Sequence, residues 1–202
     1  MVIRRTIRDF FFCRIQKIRT SNLIQYFILI ICLLLLLQLT TCREKPVPEK
    51  VLFDFESDRA LDLINWKCHT LFSLSKMHTT RGNNSLKIEL FPTTYPGFSP
   101  KLDYHKWDLY KYFCFDIYNP YDSYIKITLR IDDTKEYPEY SDRYNQSLIL
   151  KPGMNNIRLE MDAFYTSATK RKLNLEKIYR FILFLVNPPS KKIIFIDNVR
   201  LE

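Results

Sequence analysis

Glycine is nearly missing from this chain, with three in 202 residues. So few cannot build a phosphate-cradling glycine loop in any usual form. Tight turns must therefore rely on Pro, Asn and Asp. Histidine is equally scarce. His69, His78 and His105 fall in loop-like stretches with no G-x-S-x-G elbow nearby, so a nucleophilic triad lacks its base. The five cysteines show no zinc spacing. No signature of RNA or DNA recognition is present, and nucleic acid is not an expected partner. There is no internal repeat, and no low-complexity segment beyond a short linker at 43–50.

What the chain does have is one long apolar run, Leu23 to Cys42, LIQYFILIICLLLLLQLTTC. Six basic residues (Arg4, Arg5, Arg8, Arg14, Lys17, Arg19) and one acid, Asp9, precede it. After Arg43 the chain turns polar, with Pro46 and Pro48. A basic head, an apolar run and a small-residue end make a secretory signal rather than a folded helix. The last four residues, Leu39-Thr40-Thr41-Cys42, resemble the lipobox of bacterial lipoproteins. The resemblance implies that the Cys42 thiol is lipidated and becomes the new N-terminus. Thr41 departs from the usual Gly, Ala or Ser. The alternative is a plain transmembrane anchor, since 23 uncharged residues separate Arg19 from Arg43 and ~20 suffice to span the hydrocarbon. On either reading residues 1–42 tether the domain to the cell membrane or outer membrane, facing outside the cytoplasm.

Removing residues 1–42 leaves one domain-sized segment, 51–202, after the linker. The leader takes six of the 31 Lys+Arg and one of the 22 Asp+Glu, so the rest carries 25 against 21, a net +4 rather than +9. That mild excess points to no polyanion. Only Cys68 and Cys114 remain in the domain, either as one bridge or as two buried thiols. Sequons at Asn83 and Asn145 matter only in a eukaryotic secretory pathway, which the lipobox argues against.

The domain reads as strands from end to end. Alternation marks Val51–Glu56, Ser85–Leu90, Phe113–Tyr118, Ile125–Asp132 and Asn156–Glu160. Ser147–Leu150 and Lys191–Leu201 add two more. Phe181–Val186 is a continuous apolar run, expected to be buried on both sides. Asn119-Pro120 and Lys151-Pro152-Gly153 signal turns. A short helix is expected near Leu175–Tyr179 with Asn174 as its N-cap. About eight short strands and little helix predict an all-β fold, a two-sheet antiparallel sandwich.

The order FDFE (53–56), GNNSLKIEL (82–90), YFCFDIYNP (112–120), LRIDD (129–133), YSDRYN (140–145), LKPGMNNIRL (150–159), LNLEKI (173–178) and IFIDNVRLE (194–202) resembles the galactose-binding-domain-like jelly rolls. That group includes many carbohydrate-binding modules attached to bacterial glycan-processing enzymes and surface lipoproteins. The resemblance covers essentially all of 51–202, and such modules lack catalysis of their own. It implies a structural Ca²⁺ held by Glu56 and Asp197, with backbone oxygens from the loop around Arg81-Gly82-Asn83. The alternative is that both are strand-end residues bonding turn amides.

A ligand face is expected around Arg130 and Asp132, which share one side of a strand whose other side, Leu129 and Ile131, is core. Asp142, Arg143 and Asn145 lie in the neighbouring YSDRYN segment. Sugar hydroxyls take bidentate bonds from Arg and Asp, and their C–H faces stack on aromatics. Tyr95, Trp107, Tyr137, Tyr140 and Tyr144 are available to flank such a floor. Alternatively, Arg130–Asp132 and Asp142–Arg143 are solvated salt bridges that order the sheet. Asp132, Asp133 and Glu136 form one turn-like run, which suits a solvated loop better than a glycosidase acid/base pair. Lys170-Arg171-Lys172 reads as a solvated loop. The sequence therefore predicts a membrane-anchored, non-catalytic module whose partner is a glycan or polysaccharide. Its rivals are a structural or protein-interaction lipoprotein with an envelope protein partner, and an accessory subunit of a polysaccharide-processing complex.

Overall fold

The computed structural model describes residues 25–31 and 47–202. Residues 25–31 are helical and belong to the unit Met1–Pro46, while Val47–Glu202 forms a second unit. Among the described residues no helix is long and apolar enough to cross a membrane. The lipobox-like motif and Cys42 lie outside the described residues.

Val47–Glu202 is a sandwich of two antiparallel sheets. The six-stranded sheet contains β1 (Lys50–Phe53), β3 (Thr70–Ser75), β4 (Ser85–Leu90), β6 (Tyr112–Asn119), β9 (Gly153–Glu160) and β11 (Lys192–Leu201). Its order is β3-β4-β11-β6-β9, with β1 also on β11. The first and last strands are thus side by side: Lys50 faces Leu201 and Val51 faces Arg200. The five-stranded sheet runs β2 (Ile64–Cys68), β5 (Gly97–Pro100), β10 (Arg180–Phe184), β7 (Ile125–Asp132), β8 (Tyr144–Leu150).

Alternation along each strand decides what faces inward. Leu86, Ile88 and Leu90 of β4, Phe113, Phe115 and Ile117 of β6, and Ile194 and Ile196 of β11 are buried. They meet Ile127, Leu129 and Ile131 of β7 and Phe181 and Leu183 of β10. Aromatic contacts tie the layers: Phe113 and Phe181 have ring centroids 5.4 Å apart, and Phe53 and Phe181 6.1 Å. Each such side chain contributes roughly 1.5–3 kcal/mol by leaving water.

Three strands lie outside the set the sequence predicts. β5, Gly-Phe-Ser-Pro, opens and closes with residues strands disfavour. Gly97 is required by close approach: a Cβ there would sit 2.4 Å from the Leu183 carbonyl oxygen and 2.5 Å from Phe184 Cβ. β2 and β3 are short strands at the sheet edges, and Leu71 of β3 stands exposed. The expected helix is a single 3₁₀ turn, Leu175–Lys177, and the Asn174 side chain accepts from the Glu176 amide at 3.1 Å. Phe181–Val186 is not buried on both sides throughout. Phe181 and Leu183 are core, Ile182 and Phe184 turn to the outer face, and Val186 is 53% exposed. Cys68 and Cys114 are both free thiols, on different sheets.

Candidate functional site

The outer face of the five-stranded sheet carries a cavity of about 630 Å³, within the usual ligand-cleft range of ~300–1,000 Å³. Strand register builds its floor. Ile182 of β10 lies opposite Arg130 of β7, which lies opposite Asn145 of β8. One step along, Phe184, Thr128 and Ser147 form the next row. Each row runs apolar to polar across three strands, because residues two apart share a face. A second hollow of about 220 Å³ adjoins the first and shares Trp66, Tyr137 and Ile182 with it.

Loops raise the rim. Tyr95, from the β4–β5 connection, is 52% exposed and sets its ring edge-on to Phe184 at 5.8 Å. Tyr137 and Tyr140, from the β7–β8 connection, are 67% and 69% exposed. The Tyr137 ring lies over the Arg180 guanidinium at 4.3 Å and the Arg130 guanidinium at 5.8 Å, close enough for cation–π attraction. Trp66, on β2, lines both hollows. These rings are large apolar surfaces exposed around a polar floor, an arrangement that marks binding sites.

Beneath the floor lies an ion-pair network. Asp132 is fully buried. Its carboxylate accepts from Arg130 Nε at 2.8 Å and Nη2 at 2.7 Å, and from Arg180 Nη1 at 2.9 Å. Arg180 also donates to the carbonyls of Lys135 and Glu136, which fixes the loop that carries Tyr137. A second clamp is Arg171. It grips Asp133 at 2.6 and 3.0 Å and Asp142 at 2.9 and 3.0 Å. Burial alone would raise the Asp133 carboxyl, but Arg171 and the Asn174 amide outweigh it and hold the group below the usual aspartate range. The same two carboxylates push the Arg171 guanidinium above its ordinary value. The clamp ties the end of β7 to the Tyr140–Asp142 turn and sets the height of the rim. Ser167 completes the tie, its amide and hydroxyl both donating to the Arg143 carbonyl.

Several expectations need correction. Trp107 does not flank the groove: it is fully buried, stacked on Phe113 at 4.9 Å, and its indole N–H donates to the Tyr104 carbonyl. Tyr144 is also core, its ring 4.4 Å from Phe164, and burial pushes its phenol up to about 12. Asp132 shares the outer side with Arg130 yet contributes no exposed surface, because two guanidiniums cover it. Asp142 does not line the cavity, both its oxygens being engaged by Arg171. Arg171, although exposed, is engaged as a clamp by two carboxylates. Arg130, Arg143, Asn145, Tyr95 and Tyr140 do line the cavity. Trp66, Ile182 and Phe184 were not expected there. The signal for Trp66 is an exposed-type alternation, Ile64-Asn65-Trp66-Lys67-Cys68, around one of two tryptophans.

The residues named for calcium sit at the other sheet. Glu56 Oε1 accepts from the amides of Asn83 at 2.9 Å and Asn84 at 2.8 Å. Asp197 Oδ2 accepts from the Thr80 and Arg81 amides at 2.7 and 2.9 Å, and Oδ1 from the Asn198 amide at 2.7 Å. Loop 80–84 thus turns N–H groups, not carbonyls, toward both carboxylates. Ca²⁺ requires six to eight oxygens, and among the described residues no three His, Cys, Asp or Glu side chains converge to hold a metal. In this arrangement the two carboxylates staple the loop through its amides, and the Glu56 carboxyl fills the space where a Gly82 Cβ would stand.

No protein-family model and no curated protein matches the sequence. Solved structures do resemble the fold. A family 11 carbohydrate-binding module from Clostridium thermocellum, in complex with a β-1,3-1,4-mixed-linked tetrasaccharide, is 18% identical with a TM-score of 0.62, covering 78% of this chain and 96% of its own. The family 11 module of the cellulosomal cellulase Lic26A-Cel5E of the same organism gives 17%, 0.58, 78% and 95%. An exo-β-agarase gives 18% and 0.60 over 76% of this chain, which spans only 25% of that enzyme. The chain therefore has the β-sandwich fold of carbohydrate-binding modules.

Proposed function

We propose that this chain is a membrane-anchored, non-catalytic glycan-binding module of the cell envelope. The observation that carries the reading is the groove itself: Trp66, Tyr95, Tyr137 and Tyr140 stand around a floor of Arg130, Asn145 and Ser147. Rings of that size offer stacking surface to sugar C–H faces, and the floor offers donors and acceptors to hydroxyls. The likeness to modules solved with an oligosaccharide supports the same reading. Glycoside cleavage needs two carboxyl groups flanking the bond. No Asp or Glu lines either hollow, which supports a binding role. The anchor rests on the run Leu23–Cys42 with its lipobox-like end. Radiolabelled fatty acid incorporated by the wild type and lost in Cys42→Ser supports lipidation; equal labelling of both overturns it.

A glycan array with the full chain in neutral detergent tests the binding reading. Hits that vanish in Trp66→Ala and Tyr137→Ala, with melting temperatures unchanged, place the ligand in the groove. Absence of any hit overturns the glycan reading in favour of a structural lipoprotein.

A further inference from the structure

Resting on that reading, we infer that the glycan is an acidic one, bearing carboxylate or sulfate groups along its chain. The argument is a charge census of the groove. Arg130 and Arg143 line the larger hollow, Lys135 and Arg180 the smaller, and no carboxylate lines either. One acid beneath the floor, Asp132, serves both Arg130 and Arg180. At the groove surface itself, four lining cations meet one carboxylate, the Asp132 beneath them. Among the described residues neither Arg143 nor Lys135 has an acidic partner within ion-pair reach. Arg143 Nε is directed onto the Pro138 carbonyl at 2.8 Å, which fixes the side chain in the cavity wall while its terminal nitrogens make no protein hydrogen bond. The adjoining loops add Asp133 and Asp142, both held by the single Arg171, together with Glu136 and Glu139; none of these four acids lines either hollow, so none meets Arg143 or Lys135 at the groove surface.

A neutral sugar gains little from uncompensated cations, and their desolvation opposes its binding. A carboxylate or sulfate supplies the missing charge and forms charge-assisted hydrogen bonds to Arg143. The two hollows adjoin at Trp66, Tyr137 and Ile182. One polymer can therefore stack its rings on the aromatics and place successive anions near Arg143 and Lys135.

Biolayer interferometry of the full chain in neutral detergent tests this, on surfaces bearing polygalacturonate, a sulfated galactan, or neutral mixed-linkage β-glucan. The expected result is retention on one or both acidic surfaces, at least about tenfold weaker at ~0.5 M than at ~0.05 M salt. Which acidic surface responds distinguishes carboxylate from sulfate. Arg143→Gln should weaken it by about tenfold, as for one lost charge-assisted bond. Lys135→Gln, an exposed change, provides a second reading if Arg143→Gln fails to fold. Lys151→Gln, in the turn after β8, removes the same charge elsewhere and should change nothing. Equal loss with Lys151→Gln overturns the inference, because net charge alone then explains retention. Salt-insensitive retention on neutral glucan alone overturns the charge argument and leaves the glycan site standing. Retention on none of the three overturns the inference together with the reading beneath it.

Discussion

Asp132→Asn is the sharpest test of how the groove is built. The carboxylate is fully buried and receives three charge-assisted hydrogen bonds, from Arg130 Nε and Nη2 and from Arg180 Nη1. Both guanidiniums are themselves largely covered, with side-chain exposures of 11% and 14%. Asparagine is the same size but neutral, and its NH₂ points a donor at a donor. Removing one member of a buried pair leaves charge uncompensated and costs about 3–5 kcal/mol. For a folded unit of this length that is a fall of about 10 °C in melting temperature. Urea unfolding at pH 7 measures it directly. A double-mutant cycle with Arg130→Met should give a coupling above about 1.5 kcal/mol. A loss within about 1 kcal/mol for Asp132→Asn, or no coupling, would show that solvent screens the network and that Arg130 is not held by it.

The remaining predictions are more local. Gly97→Ala should cost more than about 2 kcal/mol, because its Cβ meets the Leu183 carbonyl at 2.4 Å; Gly153→Ala, at φ +84° with open space around it, should cost about 1 kcal/mol, and equal losses refute the close-approach argument. Trp107→Ala should destabilise by about 3–5 kcal/mol, whereas Trp66→Ala should leave the melt unchanged and abolish glycan retention; the reverse pattern sinks the site. Asp133 is held below the usual aspartate value, so its stabilisation is present above that range and disappears as pH falls through the folded value. Asp133→Asn should flatten the acid limb of a urea-stability profile, and identical limbs refute the Arg171 clamp. Excess chelator should leave the melting temperature unchanged, since loop 80–84 is stapled by Glu56 and Asp197; a drop reversed by Ca²⁺ would overturn that reading.

Much of the scaffold was legible because period-two alternation records burial directly. β4 and β7 appear at the residues the pattern predicts, Ser85–Leu90 and Ile125–Asp132. β2, β3 and β5 were not legible. Two lie at edges and one is a four-residue piece whose conformation is imposed by β2 and β10 on either side. The run Phe181–Val186 misleads for a different reason. Continuous apolarity shows that both faces avoid water, but it does not distinguish a second core from the floor of a groove. Ile182 and Phe184 are apolar on the open side, where a ligand ring can cover them. Trp107 and Trp66 show the same ambiguity from the other direction: both are tryptophans in polar surroundings, and only tertiary placement separates the buried ring from the half-exposed one.

Charge was the least legible property of all. Along the chain, Arg130 with Asp132 and Asp142 with Arg143 look like two self-neutralising pairs, and the groove they line would then be electrically bland. The fold repartners them. Arg180, 48 residues from Asp132, joins Arg130 on the one buried carboxylate. Arg171, 29 residues from Asp142, occupies both oxygens that Arg143 would have needed. Arg143 is left facing the cavity wall with no acid of its own. The electrostatic character of the groove is therefore decided by which long-range partner reaches each carboxylate first. A composition of 25 cations against 21 acids gives no hint of it. Restoring the local pairing should erase the effect. Arg171→Met, at a residue that itself lines neither hollow, frees Asp142 to compensate Arg143 and should weaken salt-sensitive retention on an acidic glycan. Unchanged retention in Arg171→Met, with the fold intact, would mean that Asp142 never competes for Arg143.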